Sequence, residues 1–191
     1  MSIKNDKKKL REKYAGICRS IDERTIIDAS ETVCENILSL ITSKGMDRIF
    51  CYLSFGYEIR TDRLVDALLD AGKHVYVPYI DGDDMHAVCY EKGMDLEVNS
   101  YGISEPKEKT IYSGEMDIAV VPGLAYDEHF RRLGHGKAYY DRFLRNRNIF
   151  KAGAFGSWQK TDEVPNNQYD VVLDAVFTEK STIFLYNNYR I

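Results

Sequence analysis

The sequence predicts an α/β fold, arranged as one three-layer α/β/α domain over residues 1–191 with a mainly parallel sheet and N-terminal helices. Three observations predict it. Short apolar runs of strand type alternate with stretches of helical periodicity, the pattern of strands joined by crossover helices. Residues 48–80 read as a complete β-α-β unit, which implies a parallel pair. A chain of 191 residues also suffices for one substantial core but not comfortably for two.

Each element has its own signal. Leu10, Tyr14, Ile17 and Ile21 repeat at helical spacing, and Ser20 to Glu23 reads as a capping box for a second helix. That helix carries Ile26, Val33, Ile37 and Ile41 and stops near Gly45. RIFCYLS (48–54) is a strand, Thr61 caps a helix holding Leu64, Leu68 and Ala71, and HVYVPYI (74–80) is the next strand. HAVCYE (86–91) follows, then a polar loop through Gly102 and Pro106. DIAVVPG (117–123) is the clearest buried strand, ended by Pro-Gly. After a long loop, a helix is expected from Lys137 to Arg147, and KAGAFG, VVLDAVFT and TIFLY complete the alternation. Ligands in such sheets sit beyond the carboxyl ends of the strands, where the 124–137 loop is expected.

Composition narrows the partners. A net charge of −4 opposes bulk attraction to nucleic acid or an anionic membrane, so any basic function is local and the expected partner is a small molecule. The N-terminal MSIKNDKKKLREKY has no apolar signal region, and no apolar run approaches membrane-spanning length. Cys18, Cys34, Cys51 and Cys89 show no CxxC pairing and no His at metal-ligand spacing. They read as reduced thiols of a cytoplasmic protein, expected to be a monomer or weak dimer. Fourteen tyrosines suggest amphipathic walls around a ligand or an aromatic-rich core.

Four constellations carry candidate chemistry. In RRLGHGKAYYDRF (131–143), Gly134 and Gly136 free the backbone to approach a ligand, and Arg132 and Lys137 flank a run of N–H groups before a helix. It is not a Walker sequence, since Ala138 follows Lys137, and it also reads as a surface loop leading into an amphipathic helix. In KKKLR, Lys7 and Arg11 share one helix face, either to hold phosphates or as a solvated basic helix start. Asp141 with either Asp170 or Asp174 would supply the one or two carboxylates a magnesium–nucleotide complex needs, or all three are ordinary surface and strand-end aspartates. YLSFGYEIRT (52–61) places Glu58 in a loop where it either accepts hydrogen bonds from a heterocycle or is merely solvated.

Together these stretches resemble the 5-formyltetrahydrofolate cyclo-ligase family (methenyltetrahydrofolate synthetase). The resemblance rests on K-x-x-L-R at Lys7 to Arg11, YLSFGYEIRT, VPGLAYD, RLGHGKAYYDRFL and VPNNQYDVVLDAVFTE, in the family's order over almost the whole chain. It implies an ATP- and Mg2+-dependent ligase that converts 5-formyltetrahydrofolate to 5,10-methenyltetrahydrofolate, releasing ADP and phosphate. The formyl oxygen takes the γ-phosphoryl group and the neighbouring folate amine then adds, so the substrate supplies both nucleophiles.

By position, the resemblance implies that Lys7, Arg11, Arg132, Leu133, Gly134, His135, Gly136, Lys137, Ala138, Tyr139 and Tyr140 contact ATP. Leu53, Glu58 and the run from His135 to Tyr139 contact folate, while Lys137, Arg132 and Tyr139 serve the reaction itself. Asp141 and Asp170 hold Mg2+, with Asp174 in reserve. Three positions depart from the pattern. Phe130 and Ala138 stand where glycines are usual and His135 where Arg or Tyr is common. Ala138 is expected to lie already in the helix, Phe130 to alter the loop because it resists positive φ, and His135 to give ATP binding a pH dependence between pH 5 and 8. Two other readings stand beside this one: an ATP-dependent kinase or ligase acting on another small substrate, and a non-enzymatic module that binds a sugar phosphate.

Overall fold

The structure, a computed structural model, describes residues 2–99 and 102–186. Two helices open it, α1 (Ile3–Ser20) and α2 (Glu23–Ser43). The cap of α2 is Asp22, whose carboxylate accepts the Thr25 N–H at 2.9 Å; the Ser20 hydroxyl instead donates to the Ile17 carbonyl at 2.7 Å. An aspartate at this position satisfies an orphan N–H and places negative charge at the positive end of the helix, which displaces the expected capping box by two residues.

The β-α-β unit forms as β1 (Arg48–Cys51), α3 (Asp62–Asp70) and β2 (His74–Asp81), with β1 and β2 parallel and Phe50 opposite Tyr76. Thr61 occupies the N-cap of α3 without a side-chain cap bond. Its buried hydroxyl donates to the Tyr52 carbonyl at 2.6 Å, so it closes the loop leaving β1 rather than capping the helix.

β3 (Asp84–Tyr90) returns antiparallel to β2. The expected polar loop holds a hairpin of β4 (Leu96–Val98) and β5 (Ser104–Pro106), then β6 (Ile111–Tyr112). These short strands lack the apolar runs that mark the buried ones. β7 (Ile118–Val121) is fully buried. A two-residue ladder of β8 (Ala125–Tyr126) and β9 (Arg132–Leu133) precedes α4 (Tyr139–Leu144), followed by β10 (Phe150–Ala154), a 3-10 turn (Ser157–Gln159), β11 (Ala175–Phe177) and β12 (Thr182–Phe184).

The main sheet has the order β12-β11-β10-β7-β1-β2-β3-β6, and its inner run from β11 to β2 is parallel, with antiparallel strands at both edges. The apolar stripes of α2 and α3 (Ile37, Leu40, Leu64, Leu68) cover one face against Ile49, Val75 and Val120. The other face packs Phe50, Val121 and Phe155 under Phe143 and Leu144 of α4. α1 lies apart, with Tyr14 packed against Ala125, Leu133 and Val164 and its hydroxyl donating to the Lys160 carbonyl at 2.6 Å. That anchor carries Lys7 and Arg11 toward the 133–137 loop.

Candidate active site

The 131–143 stretch is built around a buried carboxylate. Asp127 is fully buried and accepts the His129, Arg131 and Val164 N–H groups at 3.0, 3.1 and 2.8 Å and the Arg131 guanidinium at 2.7 Å. This hub lets Phe130 take φ +60, a conformation the sequence reading denied it. Its ring is buried in the core beneath α4, and its carbonyl accepts the Leu173 N–H at 2.9 Å, so packing offsets the backbone strain. Sequence reasoning missed Asp127. The available signal was a lone acid opening an Asp-x-His turn between two short apolar runs.

Beyond β9 the chain turns through Gly136 at φ +106 and Ala138 at φ +55 before α4 begins. Ala138 is therefore left-handed, not helical, and Lys137 and Ala138 precede the helix instead of opening it. A left-handed residue stops helical hydrogen bonding from propagating backward, which removes Lys137 and Ala138 from the expected 137–147 helix; the helix also ends early, at Leu144, and is six residues long.

The loop faces α1 across a cleft of about 510 Å3. Arg11 Nε donates to the Gly134 carbonyl at 2.8 Å, and Lys7 Nζ meets Asp170 Oδ2 at 2.5 Å. Arg132 is almost wholly buried, and its Nη2 meets Asp141 Oδ1 at 3.1 Å. Asp141 also accepts the Val171 N–H at 3.1 Å and Asp170 the Asn167 N–H at 2.7 Å. Burial lowers the Arg11 guanidinium, against which Asp170 and Asp141 both pull upward, so both carboxylates lie within electrostatic reach of one cation.

At the other end, Leu53, Glu58, Pro78, Ile80, Met85 and Ile103 make a more apolar wall. Glu58 retains some exposed surface, yet its carboxyl is packed closely enough that desolvation pushes it up to about 7, opposed by the Phe55 N–H at 2.9 Å and by Arg60. The Tyr140 hydroxyl is driven well above its ordinary value by burial and then by the nearby Glu58, against the pull of Arg132, whose guanidinium carbon lies 5.4 Å from its ring. Tyr139 donates to the Gly82 carbonyl at 3.2 Å, which ties the start of α4 to the β2–β3 turn.

The sequence-predicted residues from Lys7, Arg11, Leu53 and Glu58 through 132–141 to Asp170 all line this one cleft. Asp174 does not. Its carboxylate holds the Lys151 N–H and ammonium at 2.8 and 2.9 Å where β10 and β11 meet, so in this structure it ties the sheet together. His135 is exposed as a residue, but desolvation of its ring, with Arg132 and Arg11 close by, lowers it from its ordinary value. That direction carries any pH response of this residue toward lower pH. A larger groove of about 610 Å3 between α2 and α3 contains none of these residues. Volume does not locate the site; convergent charge does.

The donor set fits a polyphosphate with a magnesium ion. The Arg132 Nε is buried without a partner among the described residues, an orphaned donor of the kind a ligand oxygen satisfies. A Cβ at Gly134 would come within 2.7 Å of Arg132 Nη1, so the chain is bare where that cation must fit. Two carboxylates, each beside one cation, match the one or two that magnesium takes from protein when phosphates and water supply the rest.

A mostly parallel sheet thus carries, at the edge of its loops, a cleft that is cationic at one end and more apolar at the other, the frame of an α/β enzyme that binds a small molecule. The chain belongs to the 5-formyltetrahydrofolate cyclo-ligase family, whose model matches residues 3–179. It is 33% identical over 180 residues to a probable 5-formyltetrahydrofolate cyclo-ligase of Schizosaccharomyces pombe, covering 83% of this chain and 88% of that protein. The Escherichia coli K12 enzyme of that name is 32% identical over 136 residues, covering 66% of this chain and 75% of the relative. The solved structure of 5,10-methenyltetrahydrofolate synthetase from Aquifex aeolicus superposes with a TM-score of 0.85 at 29% identity, over 97% of this chain and 95% of that one.

Proposed function

We propose that this chain closes the ring of 5-formyltetrahydrofolate to give 5,10-methenyltetrahydrofolate at the expense of ATP, with Mg2+ as the metal. Family membership supports the reaction, and one observation carries the site: the carboxyl of Glu58 and the buried guanidinium of Arg132 line the same cleft, with Tyr140 within electrostatic reach of both. The bound nucleotide supplies the phosphoryl group that turns the formyl oxygen into a leaving group, and magnesium offsets charge on it.

The protein's own work is positioning and charge. Lys7, Arg11 and Arg132 hold the phosphates, with the 133–140 backbone following them and Lys137 beside the transferring group. Asp141 and Asp170 present the metal carboxylates, and their present partners Arg132 and Lys7 become free to turn toward phosphate oxygens. On the folate side Leu53 packs the ring and Glu58, when ionised, accepts from its N–H edge. Tyr139, fixed through its bond to the Gly82 carbonyl, packs near the formyl group. No protein nucleophile is required, because both attacking atoms belong to the substrate.

Mixing the purified chain with 5-formyltetrahydrofolate and Mg-ATP tests this. The methenyl chromophore should appear with one ADP per product, and Lys137→Ala or Arg132→Ala should slow it at least tenfold. Bound ATP without product would instead favour a kinase or ligase acting on another substrate.

A further inference from the structure

The cleft has an aromatic wall that this assignment leaves unused. Tyr169 lines it, is 57% exposed, and is nevertheless held in place. Its N–H donates to Asn167 Oδ1 at 2.8 Å, and its carbonyl accepts from Arg145 Nη2 at 2.7 Å. The Arg145 guanidinium carbon lies 5.0 Å from its ring centroid. A planar cation thus backs one tyrosine whose ring remains largely open.

The position of this pair follows from a chain of contacts. Glu58 acts on Tyr140, Tyr140 lies against Arg132, and Arg132 pairs with Asp141. Asp141 takes the Val171 N–H, and the preceding residue, Asp170, pairs with Lys7. Tyr169 therefore adjoins the Lys7–Asp170 pair, several contacts removed from the Glu58 wall assigned to folate. Phosphates held at Lys7 and Arg132 leave the rest of the nucleotide to be placed, and the aromatic surface next to Asp170 is Tyr169.

Resting on the nucleotide reading above, we infer that Tyr169, backed by Arg145, is the platform on which the adenine ring stacks. Every base presents a π-face, so such a platform adds affinity with modest preference among bases. The cation behind the ring fixes the platform and favours this geometry.

The test is titration calorimetry of the full chain with Mg-ATP and with Mg-tripolyphosphate, which has the phosphates but no base. Tyr169→Ala should weaken Mg-ATP about tenfold, Tyr169→Phe should stay within about twofold of the parent, and tripolyphosphate should bind all three alike. Unchanged ATP affinity in Tyr169→Ala overturns the inference, as does an equal loss for both ligands, which would mark a disturbed phosphate loop. A parent chain that binds neither ligand overturns the nucleotide reading itself, and this inference with it.

Discussion

Lys7 Nζ stands 2.5 Å from Asp170 Oδ2, so the first helix and a loop 163 positions later close one cleft. The two side chains are only 12% and 17% exposed, and Asp170 has a second partner in the Asn167 N–H at 2.7 Å. Lys7→Ala should therefore lower Mg-ATP affinity about tenfold while shifting the melting temperature by only a few degrees. Calorimetric titration beside a thermal melt separates the two effects. A collapse of the fold with no specific loss of affinity would make the pair structural.

The two left-handed residues make opposite predictions. Phe130 and Ala138 hold φ +60 and +55, where a side chain costs about 1–2 kcal/mol. Ala138→Gly relieves that strain and should raise stability by about 0.5–1 kcal/mol in urea denaturation, after the added entropy of the unfolded glycine is subtracted. Phe130→Gly relieves the same strain but removes a ring that is only 8% exposed, a loss of about 3–5 kcal/mol for a buried phenylalanine. It should be clearly destabilising.

Glu58 ties stability and substrate binding to pH in opposite senses. Its folded pKa of about 7 is raised from 4.5 by desolvation, so between those values the folded chain binds more protons than the unfolded one. The stability it contributes is fully present below pH 4.5 and is lost as pH rises to 7. Folate binding should instead strengthen over the upper part of that range, as the carboxylate ionises and accepts from the ring. Melting curves and folate titrations from pH 5 to 8 should both lose this dependence in Glu58→Gln.

Gly134→Ala probes the phosphate grip without altering a charge. The added methyl would lie 2.7 Å from Arg132 Nη1, and that side chain is buried and bonded to Asp141, so it has little room to yield. Turnover should fall at least tenfold, chiefly through ATP, and the overpacking of about 1–3 kcal/mol should lower the melting temperature by several degrees. Unaltered steady-state kinetics would remove Arg132 from the reaction.

Much of this was legible because it is written in periodicity and local chemistry. The buried strands and the stripes of α2 and α3 announce themselves, and the glycines of RRLGHGK mark where backbone approaches a ligand. What the sequence hid depends on distant partners. Asp127 reads as an ordinary loop acid until Val164, 37 positions away, donates to it. Thr61 looks like a cap, yet its hydroxyl belongs to Tyr52. Asp174 and Asp170 are equivalent on paper, and only the placement of Lys151 and Lys7 assigns one to the sheet and the other to the cleft. Phe130 and Ala138 take a backbone shape that local preference opposes, because tertiary packing over-determines it.

In the proposed reaction the substrate, not the protein, supplies the atom that accepts the phosphoryl group. Single-turnover reaction of 5-formyltetrahydrofolate labelled with oxygen-18 in its formyl group, followed by mass analysis of the released phosphate, tests it most directly. One labelled oxygen is expected in each phosphate formed alongside the methenyl product. Unlabelled phosphate, with the label lost to water, would contradict it.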